Sequence, residues 1–267
     1  MTRPSHLPDF LNPPINEVAL GVQFGAIPNF TSVGLGEVWS LFQHELPAIQ
    51  EHPPLAPQFE TFGGASPGHS VQFRVGSAPA ENRLWFISED ESHLVQFQKD
   101  RFLTNWRKRG GNGEYPRFET ILSSFKDKYQ ALEEYIAKRY DHKLRINQAE
   151  VTYFNIIPVE EFSDVGIWME SFNAPSIDLE SMNTQFKEVL NDSADQPFGR
   201  AYFELQSAVS IDGKKKAFRF DITVRGTPDD EGVASAVEFF QVAREKIVCS
   251  FKELTTEKAH DYWGIKK

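Results

Sequence analysis

An α+β fold built on antiparallel sheets and long amphipathic helices is what this sequence predicts, and three observations carry the prediction. Strand-like segments with period-two alternation follow one another across short turns, as antiparallel strands do. Two long stretches place apolar residues three and four apart, which lays one apolar stripe along a helix. Two segments also resemble each other: 27–39 (IPNFTSVGLGEVW) and 157–169 (IPVEEFSDVGIWM). Each opens with Ile-Pro at the end of a strand, then carries Phe, a small hydroxyl residue, Val and Gly at matching offsets: Phe30, Thr31, Val33, Gly34 and Phe162, Ser163, Val165, Gly166. The repeat predicts a duplicated unit of strand, short helix, antiparallel strands and long helix. The expected organisation is an extended arm over 1–14, a first half over 15–143 and a second half over 144–267. The halves pack as one unit, burying sheet faces against each other and against the helices.

The elements follow in order. Pro4, Pro8, Pro13 and Pro14 keep the arm extended. Val18, Leu20, Val22 and Phe24 alternate with smaller or polar residues, so 15–24 is a strand, closed by Pro28. Leu35, Val38, Trp39 and Phe42 stand at helical spacing, and Pro47 stops that helix. The Pro- and Gly-rich stretch 51–69 is an extended connection. Strands are expected at 70–76, 82–88, 93–98 and 101–107, the last two joined by a tight turn at Lys99-Asp100. The clearest element is a helix within 114–140, striped by Phe118, Ile121, Leu122, Phe125, Tyr129, Leu132 and Ile136. A strand covers 149–158, and the polar region 170–199 has no assignment. Asp212-Gly213 turns the chain between strands 200–211 and 217–226. A helix over about 232–251, striped by Val233, Val237, Phe240, Ala243, Ile247 and Phe251, precedes a short final helix carrying Trp263.

Bulk composition sets limits on function. Twenty-three phenylalanines supply a large core without staples. One cysteine, Cys249, gives neither a disulfide framework nor a thiolate cage; its apolar neighbours Ile247 and Val248 mark it as a small core hydrophobe. No apolar run approaches the roughly 20 residues that span a bilayer, and the first residues lack a signal-peptide core. The expectation is therefore a cytoplasmic protein that does not engage membranes. A net charge of −10 gives no global attraction to nucleic acid and suits a basic protein partner.

The chain lacks the recognised catalytic and cofactor fingerprints. It has no HExxH, no cysteine cluster, no Walker loop and no Gly-x-Ser-x-Gly elbow, and Trp39 stands where a dinucleotide fingerprint needs its third glycine. No metal, cofactor or catalytic residue is expected on these grounds. Asp229-Asp230-Glu231 suits the N-terminus of the helix it precedes better than a cation. The basic stretch is the main candidate. Residues 99–145 hold twelve Lys/Arg against seven Asp/Glu, so the rest of the chain is strongly acidic. Arg107, Lys108 and Arg109 run into the glycine-rich 110–113, and Arg117 follows near the helix start, an arrangement able to hold an anion, nucleotide or nucleic acid. Phe97, Phe102 and Trp106 lie close by, but their alternation fits burial. A second candidate is a polar cleft. Val-Gln-Phe occurs three times and places Gln23, Gln72 and Gln96 opposite the apolar pair, where isolated amides are expected to face water.

The segments NEVALGVQF, LVQFQKDRFLTNWRK, YPRFETI and VTYFNII together resemble a sporadically distributed prokaryotic protein family with no assigned activity. The resemblance runs from about Ile15 to Gly264 and departs at the glycine-rich 110–113, a connection that varies among similar proteins. It implies no catalytic residues. Patchy occurrence implies the accessory genome, where toxin–antitoxin and phage-defence functions reside. The leading expectation is a non-catalytic binding protein, an antitoxin, immunity or defence-accessory component acting by protein contact. The alternatives are an anion or nucleic-acid binder and an enzyme with an unfamiliar site between the halves.

Overall fold

A computed structural model describes residues 3–63, 82–109, 113–172 and 178–266. Among these residues nine strands form one antiparallel sheet: β1 (Ile15–Phe24), β2 (Ala48–His52), β3 (Arg83–Ile87), β4 (His93–Gln98), β5 (Arg101–Arg107), β6 (Ile146–Val159), β7 (Asn183–Asn191), β8 (Pro197–Val209) and β9 (Lys216–Gly226). The spatial order is β2-β3-β4-β5-β1-β6-β9-β8-β7. Helices α1 (Ser32–Ser40), α2 (Phe118–Tyr140), α3 (Val165–Trp168), α4 (Val233–Leu254) and α5 (Glu257–Trp263) complete the fold. No described helix is long and apolar enough to cross a membrane.

The halves meet edge to edge rather than face to face. β1 pairs with β6 in antiparallel register, Val18 beside Tyr153 and Val22 beside Ala149. Outward from that seam run β5, β4, β3 on one side and β9, β8, β7 on the other. Each central strand leads into a short helical segment, then three antiparallel strands, then a long helix; β2 is extra to the first side. Joining two sheets at their central edges protects both edges by hydrogen bonding, so neither half needs the other to cover a face.

One face of the sheet carries the core. Val18, Leu20, Val22 and Phe24 of β1 are buried there with Phe102 and Trp106 of β5 and Phe218, Phe220, Ile222 and Val224 of β9. All seven stripe residues of α2 are buried, as are Val237, Phe240, Ala243, Ile247 and Phe251 of α4; Val233 is only half-buried. Phe125 and Phe240 meet edge-on at 5.0 Å between ring centres, joining the two long helices. Phe97, Phe102 and Trp106 belong to this core, which removes them as base-stacking surfaces.

Several elements depart from the expectation. Residues 48–52 form an edge strand where no element is expected for 48–50 and an extended connection is expected from 51, because pairing with β3 satisfies their backbone although every residue is exposed or half-buried. The unassigned polar region contains the edge strand β7, exposed along most of its length. α2 lies within the expected 114–140 and starts at Phe118, after Arg117 with φ 72°. Cys249 is half-buried rather than a core residue, and burial pushes its thiol pKa up. The strand expected at 70–76 lies outside the described residues. Asp230 fits the structural role: its Oδ1 accepts the Gly232 N–H (2.6 Å) at the start of α4.

Candidate functional site

The opposite face of the sheet is polar, and strand periodicity dictates this. Every buried Val or Phe on the core face has neighbours in sequence that point the other way. Across the register, Trp85, Gln96, Leu103, Gly21, Glu150, Arg225 and Arg200 stand side by side on seven successive strands. The row beside it holds Gln98, Arg101, Gln23 and Gln148. Gly21 is where the row narrows: a Cβ there would meet Leu103 Cγ at 2.9 Å.

A strap made of residues 55–61 lies over this face, and glutamines hold it. Gln98 Oε1 accepts the Leu55 N–H and Gln98 Nε2 donates to the Leu55 carbonyl, both at 2.9 Å. Gln23 Oε1 accepts the Gln58 N–H (2.9 Å), and Gln148 Oε1 accepts the Glu60 N–H (3.2 Å). A primary amide carries both a donor and an acceptor, so it can pair with backbone as a neighbouring strand would. The strap ends in a buried charge cluster. The Glu60 carboxylate, 3% exposed, pairs with Arg200 and accepts the Tyr202 hydroxyl (2.7 Å), while Arg225 spans Glu60 (3.7 Å) and Glu150 (2.8 Å). Burial pushes the Arg225 pKa down, but the Glu150 and Glu60 carboxylates outweigh it and the net shift is upward.

Gln23 and Gln96 are buried, at 4% and 7% exposure, so the expectation that they face water is overturned. The strap and neighbouring side chains satisfy them. Gln23 also accepts from Arg101 (2.5 Å), and Gln96 accepts from Arg83 (2.8 Å) while donating to Asn105 (2.9 Å). Asn105 donates to Glu17, whose pKa burial raises against that hydrogen bond and the nearby Arg107 charge. Gln23 and Gln96 thus share one polar layer, and Gln72 lies outside the described residues.

The four cations expected to act together are divided between two places. Arg107 points into the polar layer, donating through Nε (3.2 Å) and Nη2 (3.0 Å) to the Glu91 carbonyl, and burial lowers its pKa. Arg109 faces the Glu91 carboxylate at 3.8 Å. Arg117 sits on the other side of the sheet with the N-terminal arm, 2.7 Å from Asp9. Lys108 is exposed and shares a surface groove with Arg117. Of the glycine-rich 110–113, only Gly113 is described.

Over the second half the polar face opens. A groove of about 710 Å³ runs between strap residues 57–60 and the edge strand β7, floored by Tyr202, Glu204, Thr223 and Arg225. Phe59, 58% exposed, lines it with Gln185 and Lys187 of β7. The Phe186 ring, 45% exposed, lies on the other face, stacked on Phe203 at 4.8 Å, so the edge strand is anchored while its outer side stays exposed. Among the described residues no strand pairs with the outer edge of β7. No protein-family model matches this chain, and no curated protein matches it. The strap, its glutamine clasps and the groove escaped sequence reasoning. The available signal was that several strands carry an amide, rather than a charge, on their second face: Gln23, Gln96, Gln98, Asn105 and Gln148.

Proposed function

We propose that this chain is a non-catalytic binding protein that takes an extended segment of a partner protein along the outer edge of β7, with partner side chains entering the adjoining groove. One observation carries the reading: the two edges of the sheet are managed differently. β2 is five residues long, preceded by Pro47 and followed by Pro53 and Pro54, which is how natural sheets blunt an edge. β7 is nine residues long, has no proline, and exposes Phe186 on one face and Val189 on the face that carries the groove. A long edge with exposed apolar groups is a template for strand addition, where main-chain bonds give affinity and side-chain pockets give specificity. The first half supplies the precedent, because β3, at the station matching β7, carries β2 on its outer edge.

The matched order of elements about the β1–β6 seam, and the Ile-Pro pairs just after β1 and at the end of β6, support an origin by duplication in which only one half kept its covering strand. A cytoplasmic setting and an antitoxin, immunity or defence-accessory role fit this reading as the biological context of the partner. The test is site-specific photo-crosslinking in cells of the encoding organism, with a photoreactive phenylalanine at position 186 or 59 and a control at the exposed Val242 of α4. The reading expects a discrete protein adduct from 186 and 59 and none from 242. No adduct, or the same adducts from all three positions, overturns it.

A further inference from the structure

A second site lies on the core side of the sheet, away from the groove. A partly open cavity of about 50 Å³ is lined by the N-terminal arm, the residues just before α2, β6 and α4. Phe10, Ile15, Ile247 and Phe251 make its walls apolar, while Tyr115, Tyr153, Arg117 and Arg244 bring polar groups to it.

Charge and proton inventories single this cavity out. Arg3 (3.7 Å), Arg117 (2.7 Å) and Lys266 (2.8 Å) converge on Asp9, and Arg244 lies 3.0 Å from Glu119. Of these, Arg3, Arg117 and Arg244 line the cavity with Asp9, three cations to one carboxylate, a local excess of positive charge in a chain of net charge −10. The Tyr115 and Tyr153 hydroxyls are 3.1 Å apart. Their mutual bond uses one of two phenolic protons, and among the described residues the other proton has no acceptor. Burial raises both phenol pKa values, that of Tyr153 to about 12, so both groups stay protonated donors. Buried donors of this kind call for an acceptor.

We propose that this cavity binds the carboxylate of a small aliphatic acid. The free tyrosine proton and the guanidinium of Arg244 or Arg117 meet the carboxylate oxygens, and the alkyl part lies against Ile247 and Phe251. Size sets the class. A single water needs about 10–15 Å³ of such space, so a cavity of about 50 Å³ holds about three to five heavy atoms, which puts propionate at its upper limit.

The test titrates the full-length protein with sodium propionate, propanamide and inorganic phosphate, following thermal stability and ligand-observed NMR saturation transfer. The proposal expects a saturable response to propionate and at least a tenfold weaker one to propanamide and to phosphate. Tyr153→Phe, which keeps the ring, weakens propionate binding at least tenfold, and Ile247→Phe, which fills the cavity, abolishes it. A propionate response that is absent, matched by propanamide or phosphate, or unchanged in a folded Tyr153→Phe protein overturns the proposal.

Discussion

Replacing Gln23 with leucine isolates the claim that the polar face is a buried, hydrogen-bonded layer. Gln23 Oε1 accepts from the Gln58 N–H (2.9 Å) and from Arg101 Nη2 (2.5 Å), and its Nε2 donates to Asn147 (3.0 Å). Leucine fills similar space but offers no acceptor. Two donors lose their partner, although Arg101 keeps the Ala56 carbonyl at 3.2 Å. An orphaned buried donor costs about 1–3 kcal/mol, so the loss is about 2–4 kcal/mol with the strap in place. Strap release sets a ceiling, since water can then solvate the orphans. The two outcomes separate experimentally: urea unfolding reads the global loss as a lower midpoint at constant slope, and limited proteolysis within 55–61 reads strap release. Gln23→Glu is the control. It keeps both acceptor positions beside Arg101 and is expected within about 1 kcal/mol of the parent. If Gln23→Leu leaves both the midpoint and strap cleavage unchanged, residue 23 stands in water and the layer is not as described.

Three further outcomes follow from the same contacts. Glu60→Ala strips Arg200 and Tyr202 of a buried partner, a change of a kind that costs about 3–5 kcal/mol when no water can enter, and accelerated cleavage of the strap is the expected readout. Phe125→Ala removes a fully buried ring packed on Phe102, Tyr129 and Phe240, and lowers unfolding free energy by about 3–5 kcal/mol in denaturant titration. At Asp9, burial pushes the carboxyl pKa up, but hydrogen bonds from Lys266 and Arg117 outweigh it and hold the group below its ordinary 3.8. A depressed carboxyl contributes stability that is complete above the unfolded value and is lost as pH falls through the folded one. The arm contact therefore weakens below about pH 4, which tryptophan fluorescence can follow because Phe10 packs on Trp263. Asp9→Asn removes that acid transition.

What the sequence made legible was whatever carried a strong period. β4 and β5 match their expected bounds, β1 does too, and α2 buries all seven residues of its stripe. The two edge strands were invisible for a common reason. Ala48–His52 and Asn183–Asn191 are largely exposed, so neither has an apolar face to alternate, and only pairing with a neighbour makes them strands. The seam was hidden because period two reports which residues share a face, not which edges meet. The glutamines were misplaced because an amide between Val and Phe suggests solvent on its side. Here the other side is covered by backbone, and a neutral amide, with its donor and its acceptor on separate atoms, can pair with a backbone N–H and a backbone carbonyl at once. Arg107 was found by charge density, whereas Arg101, Glu60 and Arg225 owe their importance to the strap that crosses them.

Backbone amide exchange along β7, in the chain alone and in its photo-crosslinked complex, tests the central claim most directly. The account predicts that outward-facing N–H groups within Asn183–Asn191 exchange rapidly in the free chain and become protected in the complex, while β2 keeps its exchange rates. Protection of the whole of β7 before any partner binds, or unchanged exchange in the complex, would contradict it.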